Sequence, residues 1–268
     1  MRDQSLIDPG TVWLVGAGPG DPELLTRKAE KLILAADIVF YDALVGQGVL
    51  DLIPDGVARV SVGKRSGRHS KDQRTICDLI VAAAFSGQCV VRLKGGDPAI
   101  FGRATEEIDA CVAQGIAVKI CPGITAASAA AASAGLSLTL RGMARKLTLV
   151  TAHARVGEAL DLDWAALADP DATLAIYMGK AAAALVSREL IAAGLPAATP
   201  ALIVENASLP NERQVRTRLD LLALAAGAAV TDGPAILLIG QAVGATALNC
   251  YRARAGAPEL VQAAAVRP

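Results

Sequence analysis

The sequence predicts an α/β protein built as two successive α/β domains, and three observations carry that reading. Short apolar runs alternate with helical patterns along most of the chain. Pro122-Gly123 interrupts the alternation, and a second alternating series follows. The length of 268 residues suits two domains of ordinary size, since domains hold about 100–200 residues.

In order along the chain, residues 11–15 read as a buried strand that ends in glycines. Residues 22–35 read as one helix opened by Asp21, with a proline in its first turn. Strands are expected at 38–41, 59–62, 90–93 and 118–120, with helices at about 72–86 and 106–114. Strands alternating with helices imply parallel pairing and a sheet covered on both faces. The second series has strands near 147–151, 173–177, 201–204 and 235–239, and helical pattern over 181–193 and 219–226. The expected domains are 1–121 and 122–245, followed by a peripheral tail, 246–268, that is alanine-rich with arginines and prolines.

Composition narrows the function. Apolar residues make up 53% of the chain, enough for a buried core, which excludes disorder as the main state. Aromatics are only 3%, too few for the stacking platforms that hold single-stranded nucleic acid. Lys plus Arg equals Asp plus Glu at 26 each, so no global field draws the chain to nucleic acid or a membrane. Locally the balance differs: residues 59–103 carry nine bases against Asp72, Asp78 and Asp97. A basic segment inside a neutral protein suits an anionic small molecule, although a solvated face would read the same way. Five scattered cysteines without a C-x-x-C pair make neither a disulfide framework nor a zinc site, and fit a reducing cytoplasm. With only His69 and His153, no histidine-rich metal site is expected. The first ten residues contain no apolar signal-peptide core. Residues 120–140 carry no charge over 21 positions, long enough to span a bilayer. Pro122, Gly123, Gly135, three serines and two threonines make a buried loop and an alanine-rich helix the better reading.

Two glycine clusters are candidate binding loops. Gly16-Ala17-Gly18-Pro19-Gly20-Asp21 follows a strand and precedes a helix, as a dinucleotide loop does. That fingerprint needs glycine five positions after the first, where Asp21 stands, and an acid at the helix start repels a pyrophosphate. A tight turn, or a cofactor without phosphate, explains the cluster better. The second run, Arg92 to Arg103, reads RLKGGDPAIFGR and begins at the C-terminal end of a buried strand, where open α/β sheets bind ligands. Gly95 and Gly96 let a ligand approach the backbone, and Asp97 offers an acceptor for a hydroxyl or ammonium.

These runs carry a resemblance. VGAGPGDPELLT from Val15, YDALV from Tyr41, VGKRSGRHS from Val62, RLKGGDPAIFGR from Arg92 and PGITAA from Pro122 are its first half. AIYMGK from Ala175, ENASLPNERQ from Glu205 and GPAILLIG from Gly233 continue it in register. The chain resembles the uroporphyrinogen-III C-methyltransferases of the tetrapyrrole methylase family across roughly residues 10–245. The resemblance implies two α/β domains with a ligand cleft between them, in a cytoplasmic homodimer without a metal. It implies S-adenosyl-L-methionine as cosubstrate and S-adenosyl-L-homocysteine as product. The implied reaction methylates uroporphyrinogen III twice, through precorrin-1 to precorrin-2, for cobalamin or sirohaem synthesis.

Residue by residue, the resemblance implies Asp42 as proton acceptor and Lys64 as proton donor. It implies cofactor contacts at Pro19, Gly95, Gly96, Asp97, Ile100, Thr125, Ala126, Met178 and Ala207, and substrate contacts at Arg65, Arg103, Glu106 and Arg141. Read from the residues alone, Asp42 could equally cap a helix, Lys64 pair with a carboxylate and Met178 pack in the core. Arg103 and Glu106, three apart at a helix start, could form a pair that orients substrate. The chain departs from the family at Ala104-Thr105, where two glycines are usual, and at Ser137 and Leu140, where proline and histidine are usual. A sister methylase acting on another corrinoid or on diphthamide, and a non-catalytic tetrapyrrole-binding protein, are the alternative readings. No nucleic acid or membrane partner is implied.

Overall fold

Five short strands build the first sheet of the computed structural model, which describes residues 6–63, 72–153, 160–229, 231 and 233–245. The strands are β1 (Val12–Gly16), β2 (Ile38–Tyr41), β3 (Ala58–Ser61), β4 (Val90–Lys94) and β5 (Val118–Cys121). They lie in the order β3-β2-β4-β1-β5, and every pairing is parallel, as the alternation with helices predicts. Alternate residues serve opposite faces. Trp13, Val15, Val39, Val91 and Leu93 join one core, and Val12, Leu14, Ile38, Phe40 and Val90 join the other. Each large side chain so buried contributes about 1.5–3 kcal/mol.

The first core is closed by α1 (Arg27–Ala35) and α2 (Gln47–Leu50), and the second by α3 (Gln73–Phe85) and α4 (Ala104–Val112). Asp72 caps α3 by accepting the Thr75 N–H at 2.7 Å. The expected single helix over 22–35 is in fact broken. Asp21 caps only a 3-10 turn, Pro22–Leu24, after which Leu25 and Thr26 are extended. Thr26 then caps α1 afresh by accepting the Ala29 N–H at 3.1 Å.

After β5 the chain crosses to the other half through residues 122–125. The uncharged stretch is a loop followed by α5 (Ala126–Ser133), whose buried Ala127, Ala129 and Ala130 pack on the second sheet. Among the described residues no helix is long and apolar enough to cross a membrane.

The second half continues with β6 (Lys146–Thr151), α6 (Trp164–Leu167), β7 (Ala172–Tyr177), α7 (Ala183–Ala192), β8 (Pro200–Glu205) and β9 (Arg213–Arg218). A 3-10 turn then leads into α8 (Leu222–Ala229), β10 (Ala235–Ile239) and α9 (Gln241–Gly244). The sheet order is β6-β7-β10-β8-β9. Here alternation does not translate into parallel pairing: β6 and β7 are parallel, but β10 runs antiparallel to both β7 and β8, and β9 to β8. Ile236 and Leu238 face α5, while Leu237 and Ile239 face the core of α7 and α8. Strand β9, unexpected from the sequence, is an edge strand whose three arginines guard it against pairing with another chain. The tail 246–268 lies outside the described residues.

Candidate active site

Three glycines, the last residue of β1 and one from each of two loops, meet where the halves join. A Cβ on Gly16 would lie 2.5 Å from the Gly123 nitrogen, and one on Gly123 would lie 2.3 Å from the Gly96 carbonyl oxygen. No side chain fits between these backbones. The loops after β1 and β4 are also hydrogen-bonded to each other. Gly96 N–H donates to the Gly18 carbonyl at 2.7 Å, and Gly18 N–H donates to the Gly96 carbonyl at 3.1 Å.

The two glycines of the second cluster have different reasons to be glycine. Gly95 is required by packing, since its Cβ would sit 2.7 Å from the Leu44 Cβ. Gly96 has φ +69° and open space where a Cβ would point, so its backbone forms bare wall of a cleft. Asp97 is more committed than its sequence suggested. One carboxylate oxygen accepts the Ala99 N–H at 2.7 Å, and the other accepts the Gly123 N–H at 3.0 Å.

The cleft measures about 480 Å³ and is shared by both halves. That volume is typical of a small-molecule site. Every cofactor residue implied at the sequence level borders it: Pro19, Gly95, Gly96, Asp97, Ile100, Thr125, Ala126, Met178 and Ala207. So do Asp42 and Arg103. Glu106 is not among the bordering residues, but it holds Arg103 in a bidentate pair with both bonds at 2.7 Å. Arg141 is exposed on the turn closed by Leu140 and Ala144, and is not among the bordering residues. Lys64 and Arg65 lie outside the described residues, just past Gly63, which borders the cleft.

Backbone strain gathers at this site. Phe101, Arg103 and Met178, all bordering the cleft, have φ of 52°, 54° and 55°. Asn206 and Ser208, which flank the bordering Ala207, have φ of 53° and 71°. Such conformations cost about 1–3 kcal/mol each and concentrate at ligand sites. Tyr177 and Phe101, which sequence reasoning did not assign, also form the wall, with ring centroids 5.0 Å apart. The Tyr177 hydroxyl accepts the Ala127 N–H at 3.2 Å and is hydrogen-bonded to the Thr125 hydroxyl, which fixes Thr125 in place.

Asp42 follows β2. It does not cap a helix, because α2 begins only at Gln47 with Gly46 as its cap. Its Oδ1 accepts the Leu44 N–H at 3.0 Å, closing a turn. Its Oδ2 lies 3.5 Å from a guanidinium nitrogen of Arg92, and its side chain is 23% exposed. One oxygen is therefore spent on the turn and the other faces the cleft wall.

Two bases of the basic segment are buried rather than solvated, contrary to a simple charged face. Arg92 and Lys94 are each 4% exposed. Arg92 Nε donates to Glu107 Oε1 at 3.0 Å, and Lys94 Nζ donates to Glu107 Oε2 at 2.9 Å. Gln73 Nε2 donates to the same Glu107 Oε1 at 3.3 Å. Burial, and then the charge of Arg92, draw the Lys94 ammonium below its ordinary value, with Glu107 opposing. Glu107 was not legible as a site residue, although Arg92 and Lys94, two apart on a strand, had to share a face. Among the described residues no group of three or more His, Cys, Asp or Glu side chains could hold a metal ion.

Comparison with known proteins agrees with this geometry. Residues 11–223 match the family model of the Tetrapyrrole (Corrin/Porphyrin) Methylases. The chain is 48% identical over 241 residues to a Uroporphyrinogen-III C-methyltransferase of Paracoccus denitrificans, covering 90% of this chain and 84% of that protein. It is 44% identical to a Siroheme synthase of Nitrosospira multiformis over 87% of this chain, and spans about half of that longer protein, 49%. A solved structure of Uroporphyrin-III C-methyl transferase from Thermus thermophilus, complexed with S-adenyl homocysteine, is 39% identical. It superposes with a TM-score of 0.76, covering 87% of this chain and 99% of that one.

Proposed function

The chain belongs to the tetrapyrrole methylases, and from that premise we propose that it transfers methyl groups from S-adenosylmethionine to uroporphyrinogen III. It is an S-adenosylmethionine-dependent methyltransferase, as its family and the Thermus structure complexed with S-adenyl homocysteine support. The product is precorrin-2, reached by two successive transfers through precorrin-1, and it feeds sirohaem or cobalamin synthesis.

The observation that carries the reading is the backbone wall at Gly96 inside a cleft shared by both halves. A nucleoside without phosphates suits it: Gly18, Gly95 and Gly96 bring bare backbone to the cleft, and the carboxylate of Asp97 beside them would repel a phosphate. Pro19, Gly95, Gly96, Asp97, Ile100, Thr125, Ala126, Met178 and Ala207 would hold the cosubstrate. When bound, S-adenosylmethionine supplies an electrophilic methyl on a sulfonium that departs as a neutral thioether, so no acid is needed for its departure.

The residues of the chain do the rest. Methyl transfer to a fully substituted pyrrole carbon makes it quaternary and leaves a positive charge on the macrocycle, which must then lose a proton from another of its positions; Asp42 at the cleft wall is the base. Lys64, matching the family's proton donor, follows the bordering Gly63. The substrate is rich in carboxylates, for which Arg103, its guanidinium oriented by Glu106 through Nε and one Nη, is a receptor. Arg65 and Arg141 serve outlying carboxylates.

The same proposal includes the division at 121/122, supported by β5 completing the first sheet and α5 packing on the second. It includes a homodimer and a cytoplasmic location, the latter supported by four buried cysteines that form no disulfide among the described residues, Cys77, Cys89, Cys111 and Cys121. Anaerobic incubation with both substrates tests the core of the proposal. Release of S-adenosylhomocysteine with a tetrapyrrole carrying two added methyl groups is expected. Tetrapyrrole binding without release would favour a carrier, and methylation of another corrinoid alone would favour a sister methylase.

A further inference from the structure

Beneath the cleft wall lies a charge cluster that the reading above does not use. Glu107, in the first turn of α4, is 1% exposed and is not among the residues bordering the cleft. All three side chains that donate to it, Gln73, Arg92 and Lys94, do border it. They come from two elements, the start of α3 and the end of β4, so a third element must hold them in one arrangement. Arg92 extends the chain of contacts to Asp42 at 3.5 Å. It also donates to the Leu93 carbonyl at 2.7 Å, which locks the guanidinium plane. Two cations and two carboxylates balance in this cluster, with Gln73 neutral. A buried cluster of charges is a weak source of stability, because desolvation offsets the attraction. Its better use is geometric.

Resting on the proposed methyl transfer, we infer that Glu107 is a positioning residue: it holds Arg92, Lys94 and Gln73 as one preformed polar wall and, through Arg92, sets Asp42 for the tetrapyrrole. Lys94 has three N–H donors, and Glu107 accepts one of them. The remaining donors belong to a side chain on the cleft wall, at a height set by Glu107. A substrate carboxylate is the acceptor they suit. Gly102 packs beside Lys94: a Cβ there would meet the Pro98 carbonyl oxygen at 2.6 Å and the Lys94 Cε at 3.2 Å.

The test separates placement from folding. Glu107→Gln keeps shape but removes the carboxylate shared by two buried cations, so it lowers thermal stability. The double variant Lys94→Met/Glu107→Gln restores the charge balance of the cluster. Positioning predicts that the double variant regains most of the lost stability and binds S-adenosylhomocysteine as the wild type does. Its turnover nevertheless stays down by about 10²-fold, the scale for misplaced catalytic groups, with a raised KM for the tetrapyrrole. Turnover that recovers together with stability overturns the inference, as does near-normal turnover in a folded Glu107→Gln protein. A double variant that cannot fold also overturns it, because Glu107 would then serve folding alone. If the wild type itself fails to methylate uroporphyrinogen III, the underlying functional reading falls first, and the inference with it.

Discussion

One carboxylate oxygen of Asp97 accepts the N–H of Gly123 across 26 residues at 3.0 Å, fastening the loop after β4 to the segment that enters the second half. The other oxygen accepts the Ala99 N–H in the same loop. Asp97 thus shapes the cleft before any ligand arrives.

Replacing it separates the two duties. Asp97→Asn keeps a single acceptor oxygen, so one of the two N–H groups loses its partner. A charged hydrogen bond of this kind is worth roughly 1.5–3 kcal/mol. Thermal melts should show a loss of that order, and calorimetry should show weaker S-adenosylmethionine binding, because the wall around Gly96 loosens. Unchanged affinity in a destabilised protein would remove Asp97 from the cosubstrate site.

Asp42→Asn tests the base. The amide oxygen can still accept the Leu44 N–H, so the turn survives. Turnover should fall by roughly 10²–10⁴, the usual range for general acid–base catalysis, while binding of S-adenosylhomocysteine persists. Near wild-type turnover in a folded variant would leave Lys64 or a bound water as the next candidate.

Gly96→Ala carries its own control. Gly96 and Gly87 both have positive φ, +69° and +77°, and neither has an atom within 4 Å of a built Cβ. Placing a side chain in that backbone region costs about 1–2 kcal/mol at either position. Both variants should therefore melt lower by similar amounts. Only Gly96→Ala should lose cosubstrate affinity, since Gly87 closes α3 and is not among the residues bordering the cleft. Equal affinities in calorimetry would take the Gly96 backbone out of the contact surface.

Burial pushes the Cys89 thiol up to about 11, with Asp37 adding to the effect, and burial likewise pushes Cys111 to about 11. An acid whose folded value is raised stabilises the fold fully below its unfolded value and loses that contribution as pH rises towards the folded one. Stability measured by denaturant titration should therefore decline between about pH 8.5, the free-thiol value, and pH 11. Replacing Cys89 and Cys111 with alanine should flatten that decline. An identical slope in the double variant would assign the decline to other groups.

How much of this was legible in sequence depended on whether the deciding contact was local. Strand β2 and strand β10 could be read to the residue because continuous apolar runs have no other stable place than a buried sheet. Strand β9 could not: Arg213, Gln214, Arg216, Thr217 and Arg218 look like a solvated segment, and only pairing with β8 makes them a strand. The break before α1 was hidden because Asp21 and Pro22 are a sound helix start, and the competing side-chain cap at Thr26 shows only once Leu25 and Thr26 are seen to be extended. Within the site, the residues carried by motifs came together. Glu107 stayed invisible, since a second acid in a helix's first turn reads as a surface charge until Arg92 and Lys94 are placed opposite it.

The interlock of Gly16, Gly96 and Gly123 has a genetic consequence. Most damaging substitutions can be relieved by a second change that shrinks or reshapes a neighbouring side chain. At Gly16 and Gly123 the nearest neighbours are main-chain atoms, which no codon can trim. A suppressor screen begun from Gly123→Ala should accordingly return true revertants and little else, whereas one begun from Gly95→Ala, where the nearest atom is the Leu44 Cβ, should also return Leu44→Gly, the one exchange that removes that atom. The contrast between those two collections of survivors would show which part of the wall is backbone and which part is side chain.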